Sequence, residues 1–348
     1  MFSRNQKLLT IGLVVLLIAG LLVGCGGNEQ SSQDPAQGDQ EKKAESILGD
    51  IYLVGATQGG GGVWDMVGTG LANVIQQNIP GSRITFVPGE GLANVKTIHK
   101  GEGDLGFMHS TMAFAASQGK EPFDAVYDNV RALFSVYDPS MQFVVLKSFP
   151  IDSLAELAEK KPAIRLAVGD PGSITELASR ALLEEYGITY KDIESWGGSV
   201  QYKSMGEAAD MMGDRLIDAI SITGTAPMGA LQEVATSQDL KMLSIDKEVV
   251  DRIVERYGFS PAVVPKDAYP FLEADVPTFS FRVIIGTPAD TPEDDIYQIV
   301  KAVGENLDYM HNVHSNLQNL SLEYMAEGTG ISLHPGAEKY YREMGVID

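Results

Sequence analysis

The 348-residue chain holds one cysteine, Cys25, so no intramolecular disulfide can form. It is poor in histidine, with five, and in positive charge, with 26 Lys and Arg against 47 Asp and Glu. The formal charge of −21 argues against nucleic acid and against electrostatic adhesion to anionic lipid. Motifs of the common hydrolases are missing as well: there is no H-E-x-x-H and no G-x-S-x-G. The glycine run at 58–62 has no Walker lysine and lacks the spacing and following pattern of a G-x-G-x-x-G dinucleotide fingerprint. No catalytic residue and no cofactor is expected. His311 and His314, with Asp308 a turn earlier, are the nearest approach to a metal cluster, and a solvated helix face explains them as well; no metal is expected.

A long uncharged run, mostly Leu, Val and Ile, extends from Leu8 to Gly24 behind the basic residues Arg4 and Lys7. It is slightly short for a spanning helix, which needs about 20 apolar residues, and ends in small residues, which suits a secretory signal. The tetrad Leu22-Val23-Gly24-Cys25 resembles a bacterial lipobox. That resemblance implies cleavage before Cys25 and lipidation of its thiol. Residues 1–24 are therefore read as a lipoprotein signal peptide and residues 25–47 as lipid anchor and tether. The segment from Gly26 to Ser46 is rich in Gly, Gln, Ser, Asp and Glu and has no periodicity that could build a core. Removing Arg4 and Lys7 leaves a mature charge of −23. The expected location is extracytoplasmic, on the periplasmic side or the cell surface, with the membrane reached only through the lipid.

From Ile51 onward, short apolar runs alternate with amphipathic stretches, the pattern of an α/β fold. Strands are expected at 51–56, 83–88, 104–108, 142–146, 164–168, 216–222 and 279–285. Helices are expected at 64–77, 92–100, 111–117, 153–160, 173–186, 203–212, 226–236, 248–257, 292–310 and 337–344. The cleanest partition is discontinuous, with residues 48–139 and 276–348 in one lobe and 140–275 in the other. Two covalent crossings would then form a hinge that lets the lobes close on a ligand. A single large α/β enzyme domain is the structural rival.

Several loops at strand ends could hold that ligand. Gln58-Gly59-Gly60-Gly61-Gly62 precedes a helix and lets backbone approach closely, with Gly61 and Gly62 nearest the helix. Gly172-Ser173-Ile174-Thr175-Glu176 repeats that logic, although Ser173 and Glu176 also fit a capping box. Thr223-Gly224-Thr225 follows a strand, where open α/β sheets bind ligands. His109 and Ser110 end another strand. Asn94, Trp64 and Tyr137 complete the candidates, each of which could equally be packing.

Six stretches together resemble the TAXI solute receptors of TRAP transporters. They are GGVWDMVGTGLANVI from Gly61, VPGEGLANVKTI from Val87, GDLGFMHS from Gly103, AVGDPGSITE from Ala167, DRLIDAISITGTAP from Asp214 and LHPGAEKYYREMG from Leu333. The resemblance implies a two-lobed, Venus-flytrap periplasmic-binding-protein fold and docking, as a monomer, to a TRAP-type membrane permease driven by an ion gradient. It implies a small organic acid as ligand, glutamate-like or a dicarboxylate, and ligand contacts for Gly62, Trp64, Asn94, Ser110, Ser173, Thr175 and Thr223. Val63-Trp64-Asp65 stands where that family typically has Thr-Tyr-Tyr. A receptor that signals to a membrane partner, and a hydrolase or transferase, are the alternative functions.

Overall fold

The computed structural model describes residues 45–56 and 62–348. The signal peptide, Cys25, most of the tether and Gly61 lie outside the described residues. In chain order the strands are β1 (Asp50–Val54), β2 (Arg83–Val87), β3 (Leu105–His109), β4 (Arg131–Tyr137), β5 (Ser140–Leu146) and β6 (Arg165–Val168). They continue with β7 (Ser199–Tyr202), β8 (Ala219–Gly224), β9 (Leu240–Leu243), β10 (Ser260–Val264), β11 (Val276–Ser280) and β12 (Val283–Thr287).

Two sheets result. The first runs β2-β1-β3-β12-β4. Its β1 lies parallel to β2 and β3, while β12 is antiparallel to β3 and β4. The second runs β10-β11-β5-β8-β6-β7, with β9 also on β5. There β6 is parallel to β7 and β8, and β5 is antiparallel to β8 and β9. Each sheet has its own apolar core. Phe107, Phe134, Ile285, Ile299 and Tyr341 are buried on the first, and Phe143, Leu166, Leu182, Ile253 and Phe279 on the second.

Helices cover these sheets because their apolar residues recur on one face. In Lys247–Tyr257 the buried residues are Val249, Val250 and Ile253, with charged residues elsewhere. Helices Glu293–Gly304 and Pro335–Glu343 approach so closely that a Cβ on Gly336 would stand 2.2 Å from the Glu293 carbonyl oxygen. The fold's leading edge is tied down by the Asp295 carboxylate, which accepts from the Ile47 amide at 2.8 Å.

The single strand expected at 279–285 is two strands in different sheets, β11 and β12. The chain passes between them at Phe281–Arg282, where an apolar run reads the same in either sheet. The helix expected at 292–310 breaks into Glu293–Gly304 and Leu307–His311. Four strands carry no matching expectation: β4, β7, β9 and β10. Strand β4 is buried on both faces, so it lacks the alternation that marks a half-buried strand. The others are four or five residues long.

The chain passes between the sheets at Asp138–Pro139 and again at Phe281–Arg282. The two crossings touch: the Phe281 amide donates to the Pro139 carbonyl at 3.2 Å. Ser110 braces the second one, donating its amide to the Arg282 carbonyl at 2.9 Å and accepting from the Arg282 amide at 3.1 Å through Oγ.

Candidate functional site

A cleft of about 640 Å³ lies between the two sheets, beside both crossings. From the first sheet's side it is lined by Val63, His109, Tyr137 and Val283, and from the second by Thr175, Met205 and the loop from Thr223 to Ala230. Phe281 and Pro139 close it at the crossings. Six of the candidate residues meet here: His109, Tyr137, Thr175, Thr223, Gly224 and Thr225.

Behind the lining residue His109 stands an aromatic stack whose members Trp64 and Phe107 do not themselves line the cleft. Trp64 stacks on Phe107 at 5.3 Å between ring centroids and leans on His109 at 5.2 Å. His109 meets Phe281 edge-on at 5.1 Å. Burial pushes the Tyr137 phenol well above its ordinary range. It lowers His109 to about 4, because the imidazolium would lose its hydration. His109 is thus neutral at physiological pH, and its Nδ1 has no hydrogen-bond partner among the described residues.

The opposite wall is polar and held from behind. The hydroxyls of Thr175 and Thr223 are 2.6 Å apart, joining the helix Ile174–Glu185 to the end of β8. Gln142 Nε2 donates to the Gly224 carbonyl at 2.9 Å. Tyr269 donates its hydroxyl to Gln142 Oε1 and accepts from the Met228 amide, both at 2.7 Å. This relay holds the 224–228 turn from beneath. Thr225 Oγ1 is buried and has no partner among the described residues.

The remaining candidates lie outside the cleft lining. Gly62 caps the helix Val63–Asn78, and its amide donates to the Asp65 carboxylate at 3.1 Å. Ser173 is the N-cap of the next lobe's helix, accepting from the Glu176 amide at 3.2 Å. Gly172 sits at φ +77° and donates to the Glu176 carboxylate at 3.2 Å. Asn94 is fully buried, donates to the Phe107 carbonyl at 2.8 Å, and is enclosed by Gly55 and Gly89. It supports the strand that carries His109. Ser110 braces the crossing.

Some lining residues were not among the ligand candidates read from the sequence. Phe281 enters because the chain changes sheets there. His314, Ser315 and Asn316 reach the cleft on a short 3₁₀ turn without periodicity. His314 Nδ1 accepts from the Asn316 amide at 3.1 Å, and His311 Nε2 bonds the Leu320 carbonyl at 2.8 Å. Among the described residues no cluster of three or more His, Cys, Asp or Glu is placed to hold a metal. A second groove of about 400 Å³ lies against helices Ser110–Ser117, Ile174–Glu185 and Lys247–Tyr257. Its two arginines are paired, Arg180 with Glu176 and Arg256 with Glu185.

The model of the NMT1-like family matches residues 56–345. This chain belongs to the NMT1-like family. Solved structures with the same fold include PhnD1 from Prochlorococcus marinus in complex with methylphosphonate, at 12% identity and a TM-score of 0.53. That match covers 86% of this chain and 100% of the other. A TctC solute-binding protein from Polaromonas matches at 15% identity and a TM-score of 0.52, covering 86% and 98% of the two chains. MatC from Rhodopseudomonas palustris, with bound malate, matches at 15% and 0.50, covering 86% and 99%. The architecture of this NMT1-like protein is thus the two-lobed α/β fold of periplasmic solute-binding proteins. Among the described residues no helix is long and apolar enough to cross a membrane.

Proposed function

We propose that this protein is an extracytoplasmic receptor that captures a small organic acid, without chemical turnover, and delivers it to a TRAP-type membrane permease. The observation that carries the reading is the cleft: residues from both sheets line one cavity, and among the described residues two adjacent crossings connect those sheets. Such a connection permits closure with little rearrangement inside either lobe. The lobes are residues 48–139 with the C-terminal part, and 140–275 with β11 added to it. Thr175, Thr223, Thr225 and Tyr137 supply neutral hydrogen bonds to the ligand, and the lining rings of Tyr137 and Phe281 cover its apolar part. The solved relatives bound to methylphosphonate and malate support a small anion as ligand class.

The TAXI assignment rests on the six sequence stretches, and lipidation at Cys25 on the apolar run and its Leu-Val-Gly-Cys end. Both support a folded part outside the cytoplasm, tethered by lipid; we propose that it acts as a monomer. Uptake by cells carrying the receptor and its neighbouring permease tests the function. Transport of the acid retained by the purified protein should require this receptor and an ion gradient. Unchanged transport after its deletion would refute the reading.

A further inference from the structure

Among the described residues that line the cleft none is Lys, Arg, Asp or Glu; of its two histidines, His109 is held neutral by burial and His314 uses Nδ1 to accept from the Asn316 amide. The two helix starts nearest the cleft already carry a carboxylate of their own. Asp65 takes the Gly62 amide at the start of Val63–Asn78, and Glu176 takes the Gly172 amide at the start of Ile174–Glu185. Those carboxylates offset the favourable field that a helix N-terminus would otherwise offer an anion. Arg282, next to the crossings, does not line the cleft: Phe281 and Val283 do, while its guanidinium lies 3.6 Å from the Tyr324 ring centroid and 3.7 Å from the Asp138 carboxylate.

Hydroxyls and amides can hold one carboxylate through neutral hydrogen bonds. A second negative group would be buried without a counter-charge in a protein whose formal charge is −21. An unpaired buried ion is the costliest arrangement a binding site can impose. From this we infer that the cleft selects for ligands with no more than one negative charge, and rejects dicarboxylates and phosphonate dianions. The inference rests on the reading of the cleft as the ligand site. It narrows the acid to one with a single carboxylate whose other polar groups are neutral. The unpartnered Nδ1 of His109 and Oγ1 of Thr225 are the places where such neutral groups can bond.

The experiment uses matched pairs that differ by one carboxylate: butyrate and succinate, pentanoate and glutarate, lactate and malate. Each is titrated calorimetrically into the full folded chain, and the protein as purified is examined by native mass spectrometry for a retained molecule. In any pair that binds, the monocarboxylate should be at least about 100-fold tighter, since an unpaired buried charge costs several kcal/mol and each 1.4 kcal/mol is tenfold. Thr225→Lys should narrow or reverse that order by supplying a cation. A dicarboxylate that binds as tightly as its partner, or a retained molecule with two acidic groups, overturns the inference while leaving the organic-acid reading intact. A retained neutral molecule does the opposite. A protein that retains nothing and binds no probe overturns both.

Discussion

Asp138 and Arg282 stand on the two separate crossings between the sheets and face each other, with 3.7 Å between Asp138 Oδ2 and the guanidinium. Tyr324 completes the group: its hydroxyl donates to Asp138 Oδ1 at 3.0 Å, and its ring lies under the guanidinium. Gly328 passes so close that a Cβ would stand 2.8 Å from Arg282 Cγ. Three segments distant in sequence thereby meet where the chain passes between the two sheets.

Replacing Arg282 removes the cation–π contact and leaves Asp138 with one partner fewer. The ion pair alone is worth little, because half of the Asp138 side chain is exposed. The ring contact and the packed stem matter more. Arg282→Met should lower stability by about 1–2 kcal/mol in urea unfolding. Arg282→Lys should recover only part of that, because an ammonium does not lie flat on the ring.

The threonine pair and the helix cap should separate binding from stability. Thr175→Val or Thr223→Val removes a hydroxyl facing the cleft, and affinity for the retained ligand should fall by roughly five- to thirty-fold, equivalent to about 1–2 kcal/mol. Ser173→Ala removes the cap of the Ile174–Glu185 helix instead. It should cost about 1 kcal/mol of stability and leave affinity within twofold. Calorimetric titration beside thermal unfolding of each variant checks both statements.

His109 makes stability depend on pH in one direction. Its folded pKa of about 4 lies below the ordinary value of 6.5, so above pH 6.5 neither folded nor unfolded chain protonates it. As pH falls from 6.5 towards 4, the unfolded chain takes a proton that the folded protein refuses. Stability should drop over that window by up to about 3 kcal/mol from this group. His109→Gln should flatten the slope by about one proton when urea midpoints at pH 7 and 4.5 are compared. An unchanged slope would remove His109 as its source.

Gly336 tests the contact between the two C-terminal helices. A Cβ there would stand 2.2 Å from the Glu293 carbonyl oxygen and 2.8 Å from the Tyr297 amide nitrogen, both backbone atoms that move only with their helix. Gly336→Ala should therefore cost about 2 kcal/mol or more, although alanine favours a helix by itself. A thermal midpoint equal to that of wild type would contradict the packing.

Much of the α/β order was legible because helix and strand impose different periods on apolar residues. The amphipathic helices at 64–77 and 248–257 and the strands at 83–88 and 164–168 lie within two residues of where the structure has them. The loop at Thr223-Gly224-Thr225 was legible for a similar reason, since glycine and hydroxyl residues at a strand end mark a place for close approach. Ser173 was ambiguous in the sequence, because a helix cap and an anion contact call for the same side chain.

The sequence by itself determined the alternation of elements, the acid excess, the single cysteine behind an apolar run, and the glycine and threonine loops at strand ends. All of these are local: each follows from a few neighbouring residues and the period or charge they carry. Only the tertiary structure decided which sheet each strand joins, that the chain changes sheets between Ser280 and Val283, and that Phe281 and His314–Asn316 reach the cleft. It also decided that His109 is neutral and that Asp65 and Glu176 sit at the helix starts beside a cavity whose described lining has no Lys, Arg, Asp or Glu. The Asp65 and Glu176 bonds are local, to Gly62 and Gly172, but the sheet assignments, the cleft lining and the burial of His109 depend on segments far apart in sequence being packed together and on water being excluded once they meet.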